Sequence, residues 1–158
     1  MRIRTPTIIK TGLATAATAA AGTVGTSPDS GWYRSLEKPR WQPPSAVFPA
    51  VWTPLYLLIA FAGARALDRT VGVEHERFKR AYAANLVLNA GWTALFFRAR
   101  NPRWALVEVV ALNAASLLLL RWAWAADRLA GAALLPYTAW TGFATALNAS
   151  IAARNPAR

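Results

Sequence analysis

No stretch of this chain restricts its fold as much as residues 31–56, GWYRSLEKPRWQPPSAVFPAVWTPLY. These 26 residues hold three of the eight tryptophans, two tyrosines, one phenylalanine and five prolines. Proline lacks a backbone donor and clashes with the turn before it, so the stretch cannot be one long regular helix. Its first half, with Arg34, Glu37, Lys38 and Arg40, is too charged to cross a bilayer. Yet one small-residue apolar run precedes it and four apolar segments follow it. A fold that satisfies both facts puts residues 27–45 at one end of a set of helices, as a cap.

The bulk composition says what surrounds those helices. Of 158 residues, 55% are hydrophobic and only 16% are charged, against about 25% in a soluble domain. An all-α, polytopic membrane protein accounts for this, and one domain covering residues 1–158 suits the length. There is no cysteine, which excludes disulfides, thiolate nucleophiles and thiolate metal sites, and a single histidine excludes a histidine metal cluster. The net charge of +11 would suggest nucleic acid in a soluble protein. Here the basic residues flank the apolar runs, so the bilayer is the expected partner and nucleic acid is not.

Five helices are expected, over about 6–25, 46–67, 78–97, 104–124 and 131–153, with residues 27–45 as a lid loop. The first follows a basic start and so imitates a signal peptide, but it lacks a leucine-rich core. Its Ala14, Thr18, Gly22 and Gly25 recur at three- and four-residue spacing, which suits close contact with neighbouring helices. In the loop, an amphipathic turn or short helix around residues 32–37 is expected before the stiff KPRWQPP. Pro54 and Pro136 should bend the second and fifth helices. Residues 68–80 read as a charged connection in which His75 is solvated. The short RARNPR turn makes the third and fourth helices antiparallel neighbours. Five spans put the termini on opposite sides. Ten Lys/Arg on the N-terminal side against eight on the other favour a cytoplasmic N-terminus.

No acid–base pair, phosphate-cradling glycine motif or nucleophile triad is visible; the chemistry left is a pocket. Phe48, Trp52 and Tyr56 share one face of the second helix, and Asn85, Asn89, Trp92 and Phe96 one face of the third. Trp140, Ala144 and Asn148 line the fifth. With Tyr33 and Trp32 from the loop, they suit a planar, mostly apolar ligand such as a tetrapyrrole or fused-ring lipid. Arg34, Lys38 and Arg40, near Trp41, are placed to meet peripheral carboxylates. Trp104, Trp122 and Trp124, at segment ends, read as interfacial belt residues. Asn89 fits either a ligand contact or a helix–helix hydrogen bond.

Three motifs in order, the opening stretch, NLVLNAGWTALFF at 85–97 and LPYTAWTGFATALNASIAARN at 135–155, resemble the TspO/MBR family. That family comprises bacterial tryptophan-rich sensory proteins and the mitochondrial translocator protein. The resemblance covers roughly residues 8–155. It implies a five-helix transmembrane bundle, often a homodimer, whose first loop lids a pocket for porphyrins, including protoporphyrin IX and haem. It implies pocket roles for Tyr33, Trp52, Asn89 and Trp140, and a multi-pass location in a bacterial membrane. The family's sterol-binding string has no tyrosine here, so high-affinity sterol binding is not expected. The resemblance implies two functions. One is a porphyrin-binding sensor or transporter. The other is a photochemical enzyme that degrades protoporphyrin with light and oxygen, with Trp52 and Trp140 as the participating side chains.

Overall fold

A computed structural model describes residues 3–156. Every regular element among them is helical: α1 (Thr5–Gly25), α2 (Gly31–Ser35), α3 (Val47–Arg69), α4 (Gly72–Thr93) with a π-helical turn (Ala94–Arg98), α5 (Pro102–Ala126) and α6 (Arg128–Arg154). The starts obey local chemistry. Ser30 caps α2 by accepting from the Tyr33 N–H at 3.3 Å. Asn101 caps α5 by accepting from the Trp104 N–H at 3.1 Å, and Pro102 supplies the preset φ of a first helical residue. Asp127 alone separates α5 from α6 and caps the latter through the Ala130 N–H.

The five long helices form a closed ring in the order α1, α3, α6, α5, α4 and back to α1. The order depends on which faces carry small residues. On α1, Thr11, Thr15, Thr18 and Gly25 are buried. The threonine hydroxyls donate to carbonyls three or four residues earlier in their own helix, so burying this face strands no hydroxyl. A Cβ on Gly25 would collide with Thr93 Oγ1, so α1 meets α4 almost backbone to side chain. Gly63 receives the Tyr82 ring in the same way, 2.5 Å from where a Cβ would be. Pro54 and Pro136 lie inside continuous helices. Two helices, α3 and α5, are long and apolar enough to cross a membrane on composition alone, with mean hydropathy 1.7 and 1.6.

The charged connection expected over 68–80 is corrected: α4 already begins at Gly72 (φ 57°). Residues 73–80 are polar almost all round but rich in Glu, Arg and Lys, which favour helix, and Glu74 suits the first turn. His75 is correspondingly half-buried, and its Nδ1 donates to the Leu67 carbonyl at 3.1 Å. On this same end, Asp127 accepts from Arg65 through both carboxylate oxygens at 2.8 Å, and Arg69 lies at 2.8 Å. The Arg65 hydrogen bond, with the Ala130 N–H and both guanidinium charges, holds the Asp127 carboxyl down to about 2 against the opposing effect of burial.

Candidate functional site

Inside the ring, toward the end that carries α2, lies a cavity of about 540 Å³. Its walls are aromatic. Trp52 stacks on Tyr56 from α3, with ring centroids 5.2 Å apart. Trp92 stacks on Phe96 at 4.8 Å across the π-helical turn. Trp140 stacks on Phe143 at 5.1 Å and meets the edge of Phe48 at 6.0 Å. The extra residue of a π turn rotates the side chains that come after it, so Phe97 reaches the cavity together with Phe96. Periodicity at 3.6 residues offered no reason to place it there.

Two polar groups of the cavity, Tyr56 and Asn89, belong to a relay through the bundle. The Tyr56 hydroxyl donates to Asn89 Oδ1 at 3.0 Å, and Asn89 Nδ2 donates to the Tyr137 hydroxyl at 3.2 Å. Tyr137 donates to Asn85 Oδ1 at 2.8 Å, and Asn85 Nδ2 donates to Ser116 Oγ at 2.9 Å. Four helices, α3, α4, α6 and α5, are tied by this one chain of bonds. Asn89 therefore lines the cavity and joins helices at once, so the two roles expected of it are not exclusive. Asn148 is likewise occupied: it accepts from Trp92 Nε1 at 2.8 Å and donates to the Pro102 carbonyl at 2.7 Å. Below the cavity Asn113 bonds to Thr141 and Thr145 of α6, so it points inward. Among the cavity tryptophans, only Trp92 has its indole N–H hydrogen-bonded within the described residues. Those of Trp52 and Trp140 have no partner there.

The lid divides differently from the expectation. Tyr33 lines the cavity, and its hydroxyl accepts from Gln42 Nε2 at 3.1 Å. Burial pushes the Tyr33 phenol above its ordinary 10.0, with the Gln42 bond pulling the other way. Trp32 packs edge-on to Phe96 at 5.7 Å, and Trp41 covers Phe143 at 5.7 Å, both behind the cavity wall. Arg34, Lys38 and Arg40 are not cavity residues. The Lys38 ammonium lies 4.5 Å from the centre of the Tyr33 ring and donates to the Leu36 carbonyl, and its burial lowers its pKa. Arg34 and Arg40 are exposed. The lid is pinned by Asn155, which accepts from the Glu37 N–H at 3.0 Å and donates to the Glu37 carbonyl at 2.9 Å. A pair 118 residues apart gives no periodic signal, and sequence reasoning missed it. Glu108 on α5 has both carboxyl oxygens buried with no hydrogen-bond partner among the described residues. No group of three or more His, Asp or Glu in the described residues could hold a metal ion.

A helical membrane protein with an aromatic, lidded, ligand-sized cavity is the class these features define. The chain belongs to the TspO/MBR family, whose model matches residues 11–154. It is 35% identical over 152 residues to the tryptophan-rich protein TspO of Chlorobaculum tepidum, covering 92% of each chain. It is 37% identical to the tryptophan-rich sensory protein of Cereibacter sphaeroides, over 84% of this chain and 83% of that one. The human translocator protein is 36% identical over 74% of this chain and 70% of its own.

Proposed function

We propose that the protein binds a tetrapyrrole, protoporphyrin IX or haem, in the cavity between α3, α4 and α6, and acts as a sensor or transporter in porphyrin homeostasis. In this reading all five long helices span a bacterial membrane, the N-terminus is cytoplasmic, the protein is a homodimer and residues 27–45 form the lid. The observation that carries the reading is the pairing of flat aromatic walls with two free indole N–H groups, Trp52 and Trp140, in a cavity of about 540 Å³. Stacked rings hold a planar macrocycle by its faces, and such a site needs few polar groups to fix orientation. Tyr33, Tyr56, Trp92, Phe96, the relay amide Asn89 and the separately bonded Asn148 complete the walls. Names such as sensory protein and translocator protein among the relatives agree with a role in signalling or transfer.

Titration of protoporphyrin IX against the purified protein, followed by tryptophan quenching and the porphyrin absorption band, tests this. Saturable binding that weakens in Trp52→Phe/Trp140→Phe is expected. An unsaturable response, unchanged in that variant, refutes it.

A second reading rests on the same two indoles. Trp52 and Trp140 both face the cavity, so an excited porphyrin would have an electron-rich side chain at van der Waals distance without any general base. Aerobic illumination of the complex should then give a defined bilin-like product. Bleaching equal to that of the double variant would leave binding as the whole activity.

A further inference from the structure

At the end of the bundle away from the lid, α4 and α5 part to leave an outward-facing groove of about 940 Å³. Its upper part is lined by Arg77 and Arg80 from the second and third turns of α4. Its lower part is apolar, with Ala81 and Ala84 as a smooth floor and Leu118 and Trp122 of α5 as the far wall. One helical turn, about 5.4 Å, separates Arg80 from Ala84, so cationic and apolar ends are stacked along the membrane normal.

The charges here are uncommitted. Arg65 and Arg69 are bound to Asp127, and Arg4 to Asp68. The acid within the groove, Glu76, lies 3.3 Å from Lys79. Arg77 and Arg80 make no salt bridge within the described residues. Glu74, the other acid of this turn, does not line the groove. Arg77 lies 5.9 Å from the centre of the Trp122 ring, which turns its guanidinium toward the groove. Tryptophan of this kind marks the headgroup level.

We propose that this groove holds one anionic phospholipid of the surrounding bilayer. Its phosphate is met by Arg77 and Arg80, its glycerol lies beside Trp122, and one acyl chain runs along Ala81, Ala84 and Leu118. Charge complementarity selects the headgroup, and the alanine floor leaves the width of a chain. A basic notch between membrane helices at headgroup level is a known kind of lipid-binding geometry.

Native mass spectrometry of the full chain in a neutral detergent tests it, with dioleoyl phosphatidylglycerol and dioleoyl phosphatidylcholine offered in equal amounts. Wild type should retain the glycerol lipid preferentially. The preference should drop roughly fivefold with either Arg77→Gln or Arg80→Gln, and roughly 25-fold with both. Arg98→Gln/Arg100→Gln, which removes the same charge from the lid end, should leave it unchanged. Dihexanoyl phosphatidylglycerol should be held less well than the long-chain lipid. Equal retention of the two headgroups, equal loss in the lid-end control, or equal binding of the short-chain lipid would each overturn the proposal. All these arginines are exposed, so the variants fold, which helical circular dichroism verifies in each case.

Discussion

Replacing Tyr137 with phenylalanine tests the relay that ties α3, α4, α5 and α6. The ring stays and the cavity keeps its shape, because Tyr137 is 1% exposed and only its hydroxyl is lost. Two buried groups are stranded by the change: Asn89 Nδ2, which donated at 3.2 Å, and Asn85 Oδ1, which accepted at 2.8 Å. Each amide keeps its other bond, to Tyr56 and to Ser116. In water, stranding two such groups would cost about 2–6 kcal/mol. Between membrane helices single hydrogen bonds average ~0.6 kcal/mol and reach ~1.7, because the unfolded helices also find partners. A loss of roughly 1–3 kcal/mol is therefore expected, read as a lower midpoint in dodecyl-sulfate unfolding followed by helical circular dichroism. Tyr82→Phe is the control. Its hydroxyl donates at 3.3 Å to the Ile59 carbonyl, which sits in a helix and keeps an intrahelical partner, so its loss is the smaller. Asn89→Leu combined with Tyr137→Phe should cost less than the sum of the singles, since they share a bond. Wild-type stability in Tyr137→Phe, or strict additivity of the pair, would refute the relay.

Acid should loosen the end of the bundle away from the lid. The folded pKa of Asp127 lies below its unfolded value of 3.8, so its contribution is complete above about pH 4 and is lost as the pH falls toward 2. Asp127→Asn should remove that part of the acid dependence in a thermal-melt series from about pH 6 to about pH 2, while lowering the plateau at the upper end. Gly63→Ala puts a methyl group 2.5 Å from the buried Tyr82 ring. The overpacking should cost roughly 1–3 kcal/mol in the same unfolding assay, and Gly12→Ala, with nothing within 4 Å, should cost nothing. Asn155→Ala unpins the lid from α6, so limited proteolysis should cut within residues 27–45 faster while helical content is unchanged.

How much of this was legible in the sequence depends on the range of the signal. Three- and four-residue spacing put Asn85, Asn89, Trp92 and Phe96 on one stripe of a helix, and the structure turns that stripe toward α5, α6 and the cavity. Spacing cannot say which helix stands opposite, however. Tyr137 and Ser116 complete the relay only because the ring order brings α6 and α5 beside α4. Tyr137, next to Pro136, had no pattern of its own to single it out. The early part of α4 failed for another reason. GVEHERFKR has no apolar stripe, and a search for periodic hydrophobicity reads such a segment as a loop, although its residues favour helix. The lid arginines show the limit of reading charge without orientation. Their spacing is visible, but which way KPRWQPP faces depends on Trp41 covering Phe143 and on Asn155 holding Glu37.

The committed state of the amides constrains what the cavity selects. Asn89 and Asn148 are each bonded at both ends, and the Tyr56 hydroxyl is spent on Asn89. A ligand that enters therefore finds ring faces, two indole N–H groups and the hydroxyls of residues such as Tyr33, Ser45, Thr23 and Thr26, and no lysine or arginine among the described residues lines the cavity. A carboxylate carried into such a place would lose its hydration without gaining a cation, which is costly. If the ligand is the porphyrin acid proposed above, its hydrocarbon edge is expected to enter first and its carboxylates to stay in water at the mouth of the cavity.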